Sequence, residues 1–179
     1  MFLAAQSRPN AASPGRAAVP GAFTVGWQGI EPERTQVLTA HEQWVARTSW
    51  PRLALADADR KWPEQFRHQA RGLLMHWGLK PLSDRVETVV TELVSNALVH
   101  GGGDSIGFRL TLTDGGLLVE VADSSTEPAR LVHTGPDAES GRGLLLVEAF
   151  ADDWGVNPRS HADGKWTWAA FNTTSEVSC

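Results

Sequence analysis

Glu92 and Asn96 are four residues apart, so on a helix they project from one side and reach a common point. The amide oxygen of asparagine is a suitable ligand for Mg²⁺, which takes oxygen ligands and keeps positions for water and phosphate. A neighbouring carboxylate can accept a proton from a hydroxyl group or water molecule that attacks a phosphate. The pair therefore predicts a site for ATP and Mg²⁺. Taken alone, the same spacing also occurs on a solvated helix face.

Two further patterns could complete such a site. Asp123 follows the apolar run Leu117–Ala122, and a carboxylate at a strand end can accept a hydrogen bond from the exocyclic amine of adenine. More simply, it could form a turn with the serines that follow it. Gly141 and Gly143 flank Arg142 at the start of a predicted helix, where glycines permit close backbone approach and amide dipoles favour anions. These three residues are candidate phosphate contacts; a flexible hinge and a solvated arginine are the simpler alternatives.

A helix from Ser83 to His100 is needed to position the first pair, and its signals are present. Ser83 is a suitable N-cap, Asp84 places an acid in the first turn, and Gly101–Gly103 end the helix. The candidate pair lies off the apolar stripe, which faces the core. The stripe comprises Val86, Val89, Val90, Leu93, Ala97 and Leu98.

The remaining segments predict the layers around this helix. Two alternating runs, 106–113 and 117–122, flank the turn residues Asp114-Gly115-Gly116 and predict a β-hairpin. Residues 31–50 are ambiguous, with a short helix as one possibility. The order of elements predicts an α+β fold: a two-layer sandwich with helices on one face of a mixed, mostly antiparallel sheet. The other predicted elements are a strand over 52–56, helices over 61–77 and 141–149, a loop over 124–140, and strands over 154–156 and 165–171.

The composition favours a soluble globular protein, with 41% hydrophobic and 21% charged residues in a chain of 179. A net charge of −5 gives no general attraction for nucleic acids, and no apolar run is long enough to cross a bilayer. We therefore expect a cytoplasmic protein with no direct nucleic-acid or membrane partner. The expected organisation is a disordered tail over 1–30, an extension over 31–50, one ATP-binding domain over 51–173 and a short tail over 174–179.

The order of these motifs is more specific than any one of them. Thr91–Gly101, Asp123, Gly141–Leu144 and Asp153–Val156 together resemble the GHKL ATPase superfamily, and within it most closely the anti-sigma-factor serine/threonine kinases. The resemblance covers about Leu53–Phe171 and implies the Bergerat (GHKL) fold with ATP and Mg²⁺ as cofactors. The sequence has neither a P-loop nor the motifs of protein kinases with a glycine-rich loop, so its site is of another type.

The resemblance also implies roles and partners. In the resembling family, the kinase phosphorylates a serine or threonine of an anti-sigma factor antagonist, binds a sigma factor when that antagonist is unavailable, and is usually a homodimer. The implied roles are Asn96 as Mg²⁺ ligand, Glu92 as general base, Asp123 as adenine reader, Gly141 and Gly143 as the phosphate-facing end of the ATP lid with Arg142 between them, and Thr167 as a hydroxyl near adenine.

Three functional hypotheses follow. The first is a serine/threonine protein kinase that regulates transcription by partner switching, because a base is present at Glu92. The second is a nucleotide-gated binding module that sequesters a partner without transferring phosphate. The third is a simple ATPase with no protein acceptor. The first two differ in whether Glu92 is needed for control of the partner.

Overall fold

Three α-helices pack on one face of a five-stranded sheet in the computed structural model, which describes residues 35–48, 55–127, 143–159 and 162–173. Two single-turn 3₁₀ helices, Asp57–Asp59 and Lys80–Leu82, precede the first two α-helices. None of the described helices is both long and apolar enough to span a membrane. The elements are β1 (Val37–Ala46), α1 (Trp62–His76), α2 (Ser83–His100), β2 (Ser105–Thr113), β3 (Leu117–Asp123), α3 (Gly143–Phe150), β4 (Asp153–Pro158) and β5 (Lys165–Phe171).

The strand order is β1-β2-β3-β5-β4, and every neighbouring pair among the described strands is antiparallel. Residues directly opposite each other in such a ladder share a face of the sheet. Val119 and Val121 therefore share the core face with their β5 partners Ala169 and Thr167. Asp123 lies opposite Lys165 at the end of the same row. The α+β prediction is confirmed.

The core lies between this sheet face and α1 and α2. All six residues of the predicted α2 stripe are buried, as are Phe66 and Phe108, whose ring centroids lie 4.8 Å apart across α1 and β2. Arg71 of α1 donates two hydrogen bonds, of 2.6 and 2.7 Å, to the buried carboxylate of Glu87 on α2. Burial of the stripe leaves the adjoining side of α2, with Glu92, at the surface of the helix layer.

The possible short helix over residues 31–50 is wrong for the described part of that segment. Val37–Ala46 form β1, which pairs along its length with β2, from Val37 opposite Thr113 to Ala46 opposite Ser105. Exposure alternates along the strand, as expected when one face meets the core. The sheet therefore includes residues before position 51.

The prediction of Ser83 as an N-cap is also wrong. The 3₁₀ turn Lys80–Leu82 runs directly into α2, so Ser83 already has helical backbone angles and Leu82 occupies the N-cap position. The Ser83 hydroxyl is buried and makes no hydrogen bond with the described residues. The helix starts where predicted, but it starts as a continuation of the preceding 3₁₀ turn and not at a side-chain cap.

Most of the other elements agree with the prediction to within a few residues. The hairpin β2–β3, the helices α1 and α3, and the closing strands β4 and β5 are all present. Of the strand expected over 52–56, the structure describes Leu55 and Ala56, which are not in a strand. The expected tails over 1–30 and 174–179 and most of the loop over 124–140 lie outside the described residues.

Candidate nucleotide-binding site

The Glu92 and Asn96 pair meets the start of α3 at Gly143. A methyl group placed on Gly143 would lie 2.8 Å from Oε2 of Glu92 and 3.1 Å from Nδ2 of Asn96. Both side chains are half-buried, so their polar ends are held between two helices and still reach solvent. Two motifs separated by about fifty residues therefore converge. Of the predicted glycine segment, Gly141 and Arg142 lie outside the described residues.

Burial gives the Glu92 carboxylate an altered acidity. Partial removal from water disfavours the charged form and raises the pKa of Glu92 above its usual range. A carboxylate with a raised pKa is a stronger proton acceptor, which suits a general base. The raised pKa of Glu92 is compatible with its predicted role, which stays a prediction.

The raised pKa of Glu92 predicts a pH-dependent stability difference from Glu92→Gln. Because the pKa is higher in the folded protein than in the unfolded chain, ionisation of Glu92 is less favourable when folded. Relative to Glu92→Gln, the wild type should lose free energy of unfolding as pH rises from the ordinary glutamate pKa of about 4.3 through the raised value. Urea unfolding of both proteins between about pH 4 and about pH 8 measures this difference. A difference that is constant across this range would contradict it.

Asp123 lies at the end of β3 and is buried. Its Oδ1 accepts hydrogen bonds from the backbone N–H of Ser125 at 2.7 Å and from Nζ of Lys165 at 2.8 Å. The bond to Ser125 is the turn expected of a carboxylate at a loop start, so the simpler interpretation of Asp123 holds for one oxygen. Within the described residues, no donor bonds Oδ2. One oxygen therefore holds the loop, and the other accepts no hydrogen bond from the described residues.

Glycines lie next to Asp123 and Ser124 at positions where any side chain would collide with one of these two residues. A methyl group on Gly101 would lie 2.6 Å from Cβ of Asp123, and one on Gly103 would overlap the Ser124 side chain. On the other side, a methyl group on Gly164 would overlap the carbonyl oxygen of Asp123. Gly103 and Gly164 also have φ values of +85° and +114°, which favour glycine. The glycines therefore fix the position of the strand end as well as ending α2.

Thr167 is buried on β5, two residues after Lys165 and on the same sheet face as Asp123. Its neighbours across the ladder are Val121 and Val156. Thr167 therefore lies between two valines on the sheet face that carries Asp123.

Sequence reasoning missed Arg47 as a residue that supports the site. Its guanidinium is buried and donates to the carbonyl oxygens of Gly101 at 2.9 Å and Leu98 at 3.0 Å. These carbonyls belong to the last turn of α2, where a cation is favoured by the helix dipole. Arg47 follows β1 and is 54 residues from Gly101, so no local pattern could have revealed the contact.

The described side chains fit ATP with Mg²⁺. The amide of Asn96 and the carboxylate of Glu92 line the point that a Cβ on Gly143 would enter, and Asp123 offers one unused oxygen. Within the described residues, no group of three or more histidine, cysteine or acidic side chains could hold a metal ion alone. A Mg²⁺ ion held by one amide oxygen would take its other ligands from phosphate and water.

The structure is an α+β domain in which Glu92 and Asn96 of α2 meet the start of α3. Residues 56–171, more than half of the chain, match the family model for the histidine kinase-like ATPase domain, and the chain belongs to this family. It therefore contains an ATP-binding domain of the GHKL superfamily. A search among curated proteins gives no match.

Proposed function

We propose that the protein is a serine/threonine protein kinase of the anti-sigma-factor type, which phosphorylates an anti-sigma factor antagonist and regulates transcription by partner switching. The observation that carries the proposal is Glu92, a carboxylate with a raised pKa beside Asn96 and the start of α3. Membership of an ATP-binding family supports the nucleotide part of the proposal. Under this proposal the second partner is a sigma factor, bound when the antagonist is unavailable.

Each residue of the site has a distinct task in this reaction. Bound ATP with Mg²⁺ supplies the phosphoryl group and compensates its charge. The amide oxygen of Asn96 holds the metal, and the backbone at Gly143 lets the phosphates approach the start of α3. Oδ2 of Asp123 accepts a hydrogen bond from the exocyclic amine of adenine, and Thr167 lines the base pocket beside it.

Glu92 acts on the protein acceptor. Its carboxylate takes the proton of the serine or threonine hydroxyl as the hydroxyl oxygen bonds to the terminal phosphorus, and the bond from that phosphorus to the bridging oxygen breaks so that ADP leaves. Partial burial keeps this carboxylate basic, and its half-exposed position leaves it accessible to an incoming side chain. The base is therefore what separates a kinase from a module that only binds nucleotide.

The direct test incubates the protein with ATP labelled at the γ-phosphate and a purified candidate antagonist. Label should appear on a serine or threonine of the antagonist. Asn96→Ala should abolish both ATP binding and labelling, whereas Glu92→Ala should abolish labelling and retain binding. Glu64→Ala, which removes an exposed carboxylate from α1, is the matched control and should behave as the wild type.

Three results would contradict the kinase proposal. ATP binding without transfer to any antagonist encoded nearby would remove its central claim. Control of a partner that persists in Glu92→Ala but disappears in Asn96→Ala and Asp123→Ala would identify a nucleotide-gated sequestering module instead. Release of inorganic phosphate with no protein acceptor would identify a simple ATPase.

A further inference from the structure

Lys165 lies at the start of β5 with its ammonium group buried against Asp123. Nζ donates to Oδ1 of Asp123 at 2.8 Å and to the carbonyl oxygen of Ser125 at 3.3 Å. The two charged side chains are 10% and 4% exposed, which makes this one of the two most buried ion pairs among the described residues. Lys165 is also the cross-strand partner of Asp123, so the ladder holds the two backbones in register.

We propose that Lys165 is a positioning residue that fixes the Asp123 carboxylate and thereby sets the preference of the site for purines with an amino group at position 6. The inference rests on the proposed ATP site and identifies a determinant of base specificity within it. Lys165 acts through Asp123 and does not itself bind the base.

The two carboxylate oxygens of Asp123 differ in their hydrogen bonding. Lys165 and the Ser125 N–H both bond Oδ1, so two donors from different segments fix the plane of the carboxylate. Oδ2 bonds no donor within the described residues and is the acceptor that remains. A purine with a 6-amino group donates to it, whereas a 6-oxo purine presents an acceptor and leaves two acceptors facing each other.

Lys165 also compensates the charge of the Asp123 carboxylate. A carboxylate as buried as that of Asp123 requires a partner of opposite charge, and removing one partner of a buried pair leaves the other uncompensated. Without Lys165, the carboxylate can turn away from its position. A turned carboxylate recognises neither base, which reduces the preference for the amino group.

The neighbouring backbone leaves Asp123 little room to adjust. A methyl group on Gly101 would come within 3.0 Å of Cγ of Asp123, and one on Gly164 would overlap its carbonyl oxygen. Backbone therefore packs against Asp123 from two sides. A small shift of the strand end cannot correct a misplaced carboxylate, so its orientation depends on the hydrogen bonds from Lys165 and Ser125.

The experiment measures dissociation constants of ATP and inosine triphosphate by isothermal titration calorimetry in the wild type, Lys165→Met and Lys165→Arg. The wild type should prefer ATP. Lys165→Met should bind ATP about tenfold or more weakly, because the Asp123 carboxylate that accepts the hydrogen bond from the 6-amino group is no longer held in position, and its ratio of the two constants should move towards one. Lys165→Arg keeps the charge and should retain most of the preference. Lys80→Met removes an exposed lysine and should match the wild type.

The possible results are distinct. Wild-type affinity and preference in Lys165→Met would overturn the inference, and tighter ATP binding would overturn it by showing that the ammonium competes with the base. If the wild type binds neither nucleotide, the proposed ATP site itself fails. Thermal melting establishes that each variant is folded. If Lys165→Met does not fold, Lys165→Gln removes the charge with less loss of polarity and is held to the same expected ratio.

Discussion

Replacing Glu92 with glutamine is expected to lower the rate of phosphate transfer to the antagonist about 10²- to 10⁴-fold and to leave ATP binding close to that of the wild type. Glutamine has nearly the same shape and keeps the contact with the start of α3, but it cannot accept the proton of the attacking hydroxyl. The raised pKa of Glu92 indicates that the group lost is a strong proton acceptor. Single-turnover transfer of labelled phosphate measures the rate, and calorimetric titration with ATP measures binding.

The control for this variant is Glu148→Gln, which changes an exposed glutamate on α3 and should transfer phosphate at the wild-type rate. An unchanged rate in Glu92→Gln would show that Glu92 is not the base. A parallel loss of ATP binding would instead assign Glu92 to the nucleotide site. The two measurements together separate catalysis from binding.

Gly143→Val should weaken ATP binding about 10²-fold and change the melting temperature little. Even a methyl group at this position would lie 2.8 Å from Oε2 of Glu92 and 3.3 Å from Oδ1 of Asn96, so a larger side chain must displace both. The displaced atoms are the ends of flexible side chains at the surface of the helix layer, so folding tolerates the change. A misplacement of about 1 Å in a site is enough for an effect of this size.

Gly72→Val supplies the matched control, because it makes the same substitution in a helix. A methyl group on Gly72 of α1 would meet no atom within 4 Å, so this variant carries the change in helix propensity without the steric contact. It should bind ATP as the wild type does. Equal binding by the two variants would show that Gly143 does not border the nucleotide site.

Local patterns predicted the elements that carry the site. The apolar stripe of α2 identified the helix and, by exclusion, the side on which Glu92 and Asn96 lie, since helical periodicity is a property of neighbouring residues. The hairpin followed from Asp114-Gly115-Gly116, whose turn chemistry is equally local. The prediction that α2 and Gly143 converge also required the order of the motifs along the chain, because no single motif is specific.

The contacts that sequence reasoning missed join segments distant along the chain. β1 was ambiguous because its pairing with β2, and not its own pattern, makes it a strand. Lys165 and Asp123 are 42 residues apart, and Arg47 and Leu98 are 51 apart. Such pairs depend on sheet register and helix packing, and neither can be predicted from the local propensities of a single sequence. The residues that support the site were therefore less predictable from the sequence than the polar side chains that form it.

The position of Arg47 has a practical consequence for defining a minimal ATP-binding fragment. The family match begins at residue 56, but Arg47 and β1 lie before that residue. Arg47 bonds carbonyl oxygens at the end of α2, and β1 pairs with the edge of β2. A fragment cut at the family boundary would present the unpaired backbone edge of β2 to solvent, which invites association between copies. It would also lack Arg47, which donates hydrogen bonds to the carbonyl oxygens of Gly101 and Leu98. A useful expression boundary therefore lies before β1 rather than at residue 56.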